Sequence, residues 1–96
     1  MLTFDCQQDT INNMKLLSKA FASLNNEKDI SNFIRDLMTL AEIQEFENRL
    51  KIAKLLLKKN KSYIQIAKEV GTSTTTVTRV AHWLFNGCNG YNKVLI

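Results

Sequence analysis

No proline interrupts this chain, and glycine occupies only three of its 96 positions. Proline and glycine are the residues that break helices and build tight turns. A chain almost without them has little means of making a turn-rich β fold and every means of making long helices. The expected fold class is therefore all-α, a helical bundle. The length fits one domain, and a domain this short buries a modest share of its surface, so oligomerisation is an expected supplement.

The hydrophobic pattern places the helices. Asp9 or Thr10 can cap a first helix reaching about Leu24, with Ile11, Met14, Leu17, Phe21 and Leu24 on its apolar side. Asn25-Asn26 breaks it. A second helix is expected from about Asp29 to Met38, where Ile30, Phe33, Ile34, Leu37 and Met38 fall at i, i+3, i+4, i+7 and i+8. Thr39 with Glu42 three residues on has the form of a capping box, opening a third helix from about Leu40 to Lys59. Ile43, Phe46, Leu50, Ala53 and Leu57 form one stripe on it, and Ile52, Leu55 and Leu56 widen the apolar surface. Such a helix belongs at the centre of a bundle or against a partner subunit.

Charge is divided along the chain. Residues 1–48 carry four Lys or Arg against eight Asp or Glu, a net −4; residues 49–96 carry nine against Glu69 alone, a net +8. A basic half of this kind suits a polyanionic partner, although a solvated lysine face would look the same. Lys58, Lys59 and Lys61 also suit the negative end of the third helix's dipole.

The segment YIQIAKEVGTSTTTVTRVAHWL has the spacing of a helix-turn-helix, spanning Ser62 to Leu84. Ser62 caps its first helix, with Gln65 at the capping-box position. Ala67 is small where two helices cross. Gly71 stands where the chain leaves the first helix in a left-handed conformation. Ile66 and Val70 would face Val77, Val80 and Leu84 of a second helix that Thr72 or Ser73 caps and that runs to about Phe85. The opposite face then carries Thr74, Thr75, Thr78, Arg79 and His82. The run Ser73-Thr74-Thr75-Thr76 is a poor helix former, which makes sense where hydroxyls meet phosphates and base edges. Candidate DNA contacts are Ser73, Thr74, Thr75, Thr76, Thr78 and Arg79 in the groove, with Lys58, Lys61, Tyr63 and Lys68 on phosphates. The alternative for this segment is an ordinary helical hairpin with a glycine turn. The closing NGCNGYNKVLI reads as a turn and a docked terminal segment.

At these residues the sequence resembles the Trp repressor superfamily, and specifically its YerC/YecD-type branch. The resemblance runs from Leu37-Met38-Thr39 through NRLKIAKLLLKKNKSYIQIAKEVGTSTTTVTRV and into NGCNGYNKVL. It implies one Trp repressor-like domain over residues 1–96, with dimerisation helices over 7–60, the helix-turn-helix over 62–86 and a tail over 87–96. It further implies an intertwined homodimer whose two reading heads meet a palindromic operator. In the family, two arginines hold tryptophan between reading head and dimer core. Arg49 and Arg79 match them, and Thr39 matches another pocket residue. The pattern departs at Val80, where corepressor-binding members have glycine, and at Trp83, where they have a small serine. Val80 or Trp83 would fill that effector pocket, leaving the dimer constitutive or answering to another effector; core packing is the simpler role for Trp83.

The expected function is a sequence-specific DNA-binding transcriptional regulator, a repressor, acting as a homodimer through the helix-turn-helix. The alternative is a helical dimeric interaction module without specific DNA binding. A recombinase fragment fits poorly, since the chain has no acidic catalytic triad. No enzyme is expected: His82 has no nucleophile or acid arranged around it in sequence, Glu42, Glu45 and Glu47 share a helix with cations, and no glycine loop has phosphate-binding spacing. No metal or cofactor is expected. Cys6 and Cys88 lack ligand-spaced neighbours and read as free thiols in a reducing cytoplasm. MLTFDCQQD lacks the basic start and apolar run of a signal peptide, and no stretch is long enough for a membrane span. A cytoplasmic protein is expected.

Overall fold

The computed structural model describes residues 6–96. Among them every regular element is a helix: α1 (Gln8–Asn13), α2 (Lys15–Ala22), α3 (Glu27–Leu37), α4 (Leu40–Lys58), α5 (Tyr63–Val70), α6 (Thr74–Asn86) and α7 (Gly90–Leu95). The all-α expectation holds. The part of the leader reading that falls on residues 1–5 lies outside the described residues. No helix among the described residues is long and apolar enough to cross a membrane.

Contacts divide the chain into a unit ending at Gln44 and a unit from Glu45 to Ile96. In the first, the single helix expected to reach Leu24 is two. Met14 leaves helical geometry (φ −111°, ψ 18°), and its N–H bonds Ile11 O, three residues back, at 3.3 Å. The adjacent Asn12-Asn13 favours such a break, because asparagine side chains compete for the backbone. The first cap also differs: α1 begins at Gln8, after Gln7, with no side-chain cap, so neither Asp9 nor Thr10 serves. Asn26 caps α3, its Oδ1 accepting from the Asp29 N–H at 2.9 Å, so α3 starts two residues before the expected Asp29. Phe21 and Phe33 meet edge-on, ring centroids 5.2 Å apart.

The capping box at the start of α4 is present in both directions. Thr39 N–H donates to Glu42 Oε1 at 3.0 Å, and Glu42 N–H donates to Thr39 Oγ1 at 3.1 Å. Hydrogen bonding from Thr39 holds the Glu42 carboxyl below its ordinary pKa, the Thr39 backbone N–H contributing most and the Thr39 side chain next. The helix ends at Lys58, one residue early, because Lys59 turns left-handed at φ 57°.

The second unit has a closed core. Ile52, Ala53 and Leu56 of α4, Ile66 and Ala67 of α5, and Val77, Val80, Ala81 and Leu84 of α6 are buried together. Tyr91 and Leu95 of α7 pack against them, so the terminal segment is docked as expected. At the end of α6, Gly87 meets a tight space: a Cβ there would lie 2.2 Å from the Trp83 carbonyl oxygen.

One expectation fails outright. Neither cysteine is free; Cys6 and Cys88 are both disulfide-bonded. A disulfide requires a short Cα separation in space, which the absence of ligand-spaced neighbours in the sequence does not report.

Candidate nucleic-acid interface

The candidate interface is formed by α5, a three-residue turn and α6. Ser62 opens α5 with a full capping box: its Oγ accepts from Gln65 N–H at 3.1 Å, and Gln65 Oε1 accepts from Ser62 N–H at 2.8 Å. Gly71 closes it at φ 81°, ψ 42°, where a residue with a Cβ is strained. The N–H groups of Gly71 and Thr72 both bond Ala67 O, at 2.9 Å each, which turns the chain sharply into α6. Ser73 caps α6 by accepting from Thr76 N–H at 3.2 Å. Burial of Ala67 and Ile66 against Val77, Val80 and Leu84 holds the two helices together.

Packing one face of α6 inward decides what the other presents. Thr74, Thr75, Thr78, Arg79 and His82 are all exposed, as is Ser73; Thr76 is half-buried. The hydroxyls are not equivalent. Ser73 Oγ and Thr76 Oγ1 share a hydrogen bond at 3.1 Å, and Thr78 Oγ1 donates to Thr74 O at 3.0 Å. Arg79 has no ion-pair partner among the described residues.

The expected phosphate contacts are also exposed: Lys58 ends α4, Tyr63 opens α5 and Lys68 lies on α5. Lys61 is engaged, since its Nζ pairs with Glu69 Oε1. A cleft of about 290 Å³ runs between Lys51, Lys54, Leu55 and Lys58 of α4 and Glu69 and Val70 of α5. Lys51 and Lys54 thus share a face with Lys58. Sequence reasoning missed them, although their i, i+3, i+7 spacing was visible.

The residues matched to an effector pocket are variously committed. Thr39 is the cap of α4. Arg49 donates from Nη2 to Glu45 Oε1 at 2.6 Å, lies 5.3 Å from the Phe46 ring centroid, and has a buried Nε without a partner. Val80, 1% exposed, is sealed into the core. Trp83 is only half-buried, edge-on to His82 with centroids 5.0 Å apart. It flanks the 77, 80, 84 face instead of lying on it and is not sealed into the core as Val80 is.

Comparison with known proteins agrees with this architecture. The model of the Trp repressor protein family matches residues 12–96. YerC of Bacillus subtilis (strain 168), itself uncharacterized, is 37% identical over 84 residues, covering 84% of this chain and 80% of YerC. Among solved structures, a TrpR-like protein from Eubacterium eligens ATCC 27750 superposes with a TM-score of 0.74 at 31% identity, over 94% of this chain and 88% of that one. A Trp repressor candidate from Staphylococcus aureus superposes with a TM-score of 0.75 at 34% identity, over 88% and 83%. The family is one of helix-turn-helix regulators and not of enzymes. With its glycine-turned α5–α6 pair and these likenesses, the chain belongs to the Trp repressor superfamily, on its YerC-type branch.

Proposed function

We propose that this protein is a homodimeric transcriptional repressor that binds a palindromic operator in double-stranded DNA through α6, in the cytoplasm. The observation that carries the reading is the exposed face of α6: Thr74, Thr75, Thr78 and Arg79 stand opposite a sealed core. In a helix-turn-helix the second helix enters the major groove N-terminal end first. Ser73, Thr74, Thr75 and Thr76 stand at that end. Lysines supply affinity through counterion release, which carries no sequence information. Lys58, Lys61, Tyr63 and Lys68 form this cationic and polar rim, with Lys51 and Lys54 beside Lys58.

The dimer is supported by what α1 to α3 leave uncovered. None of the three has a buried residue, and Leu16 is 84% exposed. On α4, Phe46 and Leu50 are exposed while Ile52 and Leu56 are sealed, so the apolar surface exceeds what one chain covers. DNA binding is independent of tryptophan in this reading. Val80 occupies a position where the ligand would need glycine, and Arg49 is already paired with Glu45.

Selection of bound sites from random duplex DNA, with and without tryptophan, tests the proposal. The expected product is one two-fold symmetric site, identical in both arms. Thr75→Ala should reduce discrimination between that site and random duplex more than overall affinity. Lys61→Ala should weaken all sequences and reduce the salt slope by about 1. If both variants bound specific and random duplexes like wild type, the assignment would be wrong.

A further inference from the structure

The hydroxyl accounting on α6 separates its threonines by how they can read a base. A free threonine hydroxyl donates one hydrogen and accepts at its oxygen. Phosphate oxygens, thymine O4 and purine N7 are all acceptors, so a hydroxyl serves them only as a donor. Thr78 has spent its hydrogen. Its Oγ1 donates to Thr74 O at 3.0 Å, back along the helix. With the oxygen in that staggered position, the methyl takes another, away from the carbonyl. Ser73 and Thr76 share a hydrogen bond at the cap, which uses the hydrogen of one of the two hydroxyls. Among the described residues no side-chain partner holds the hydroxyls of Thr74 and Thr75.

We infer that Thr78 recognises DNA through its methyl group, against the C5-methyl of a thymine in each operator half-site, while Thr74 and Thr75 supply the hydroxyl contacts. The inference rests on the DNA-reading role proposed above and names the specificity element of that same face. Thr78 is exposed on the turn after Thr74 and Thr75, beside Arg79, so its side chain faces the same way as the hydroxyls that lead. Back-bonding keeps its polar atom against the helix and leaves an apolar tip at the surface. An apolar tip distinguishes thymine from cytosine in the major groove, because only thymine carries the methyl.

The experiment uses the full-length protein and the site recovered by selection. Each thymine of the half-site is replaced in turn by uracil, which removes the methyl and nothing else. The duplexes are then measured against wild type, Thr78→Ser and Thr78→Val. Serine keeps the hydroxyl and loses the methyl; valine keeps methyls and loses the hydroxyl. One uracil should weaken wild type about fourfold, the worth of one buried methyl. Thr78→Ser should lose about the same on the thymine duplex, and that uracil should then cost it nothing further. Thr78→Val should keep both the site and the uracil penalty. If uracil is silent at every position, or if Thr78→Val loses the site while Thr78→Ser keeps it, the methyl reading is overturned and the DNA-binding proposal stands. If selection enriches no sequence at all, the DNA-reading role fails, and this inference fails with it.

Discussion

The unit from Glu45 to Ile96 and the unit before it are built from helices of similar amphipathic character, yet only one of them is closed. The second seals nine apolar side chains from three helices into one cluster. In the first, no residue of α1, α2 or α3 is fully buried, and Ile11, Met14, Leu16, Leu17, Leu37 and Leu40 are exposed. The difference teaches where each part gets its stability. Burial of apolar surface is the main favourable term in folding, so the second unit carries its own. The first has apolar stripes only partly covered within one chain, and in the proposed dimer a second copy supplies the rest of the cover.

The largest expected effect breaks or confirms that contrast. Ile66 is completely buried, and Ile66→Ala should cost about 2–5 kcal/mol in chemical denaturation. The double variant Leu16→Ser/Leu17→Ser removes side chains that are already exposed within one chain. It should leave the intrinsic stability of the second unit intact while shifting sedimentation equilibrium towards monomer. A double variant that assembled like wild type but unfolded as readily as Ile66→Ala would show that the first unit has a core of its own.

A smaller effect sharpens the picture inside the closed unit, where two glycines are required for different reasons. Gly87→Ala puts a Cβ 2.2 Å from the Trp83 carbonyl oxygen. Relieving that overlap should cost about 1–3 kcal/mol. Gly71 has nothing within 4 Å of its Cβ direction, but its φ is +81°. Gly71→Ala should therefore cost about 1–2 kcal/mol through backbone conformation alone. Asparagine tolerates the left-handed region, so Gly71→Asn should recover part of the loss and Gly87→Asn none. Equal behaviour of the two asparagine variants in thermal melts would contradict this division.

The same division separates what could be read from the sequence from what could not. Ser62 with Gln65, and Thr39 with Glu42, were legible because a capping box is a local pattern with a fixed spacing. Ala67, Gly71 and the Val77, Val80, Leu84 face were legible because helix crossing and helix exit each demand a residue type. Three features were not. The break at Met14 needed the local competition of Asn12-Asn13 to outweigh a continuous apolar stripe. The left-handed Lys59 occupies a position where glycine or asparagine is the usual signal, and Asn60 stands one residue late. The bonding of Cys6 and Cys88 depends on distance in space, which periodicity does not encode. On the candidate site, exposure of Thr78 followed from helical periodicity, but the commitment of its hydroxyl to Thr74 O did not. Serine and threonine can bond back to the helix or outward, and the sequence is the same in both cases.

The smallest effect concerns the entry into α4. Thr39 N–H and Thr39 Oγ1 both bind within the Thr39–Glu42 box, and the Glu42 carboxyl is held below its ordinary value of 4.5. A carboxyl whose folded pKa lies below its unfolded one contributes stability above the unfolded value and loses it as pH falls through the folded one. Helicity at the start of α4 should therefore weaken on acidification from just above 4.5 downward, and Glu42→Gln should remove that part of the pH dependence. The larger cause is the backbone N–H, which survives a side-chain change at Thr39. Thr39→Ala should accordingly restore only the lesser part of the shift when the Glu42 side chain is titrated by NMR. Full return of Glu42 to its ordinary value in Thr39→Ala would mean that the hydroxyl, through its hold on the Glu42 N–H, organises the whole box, and that the backbone bond forms only after it.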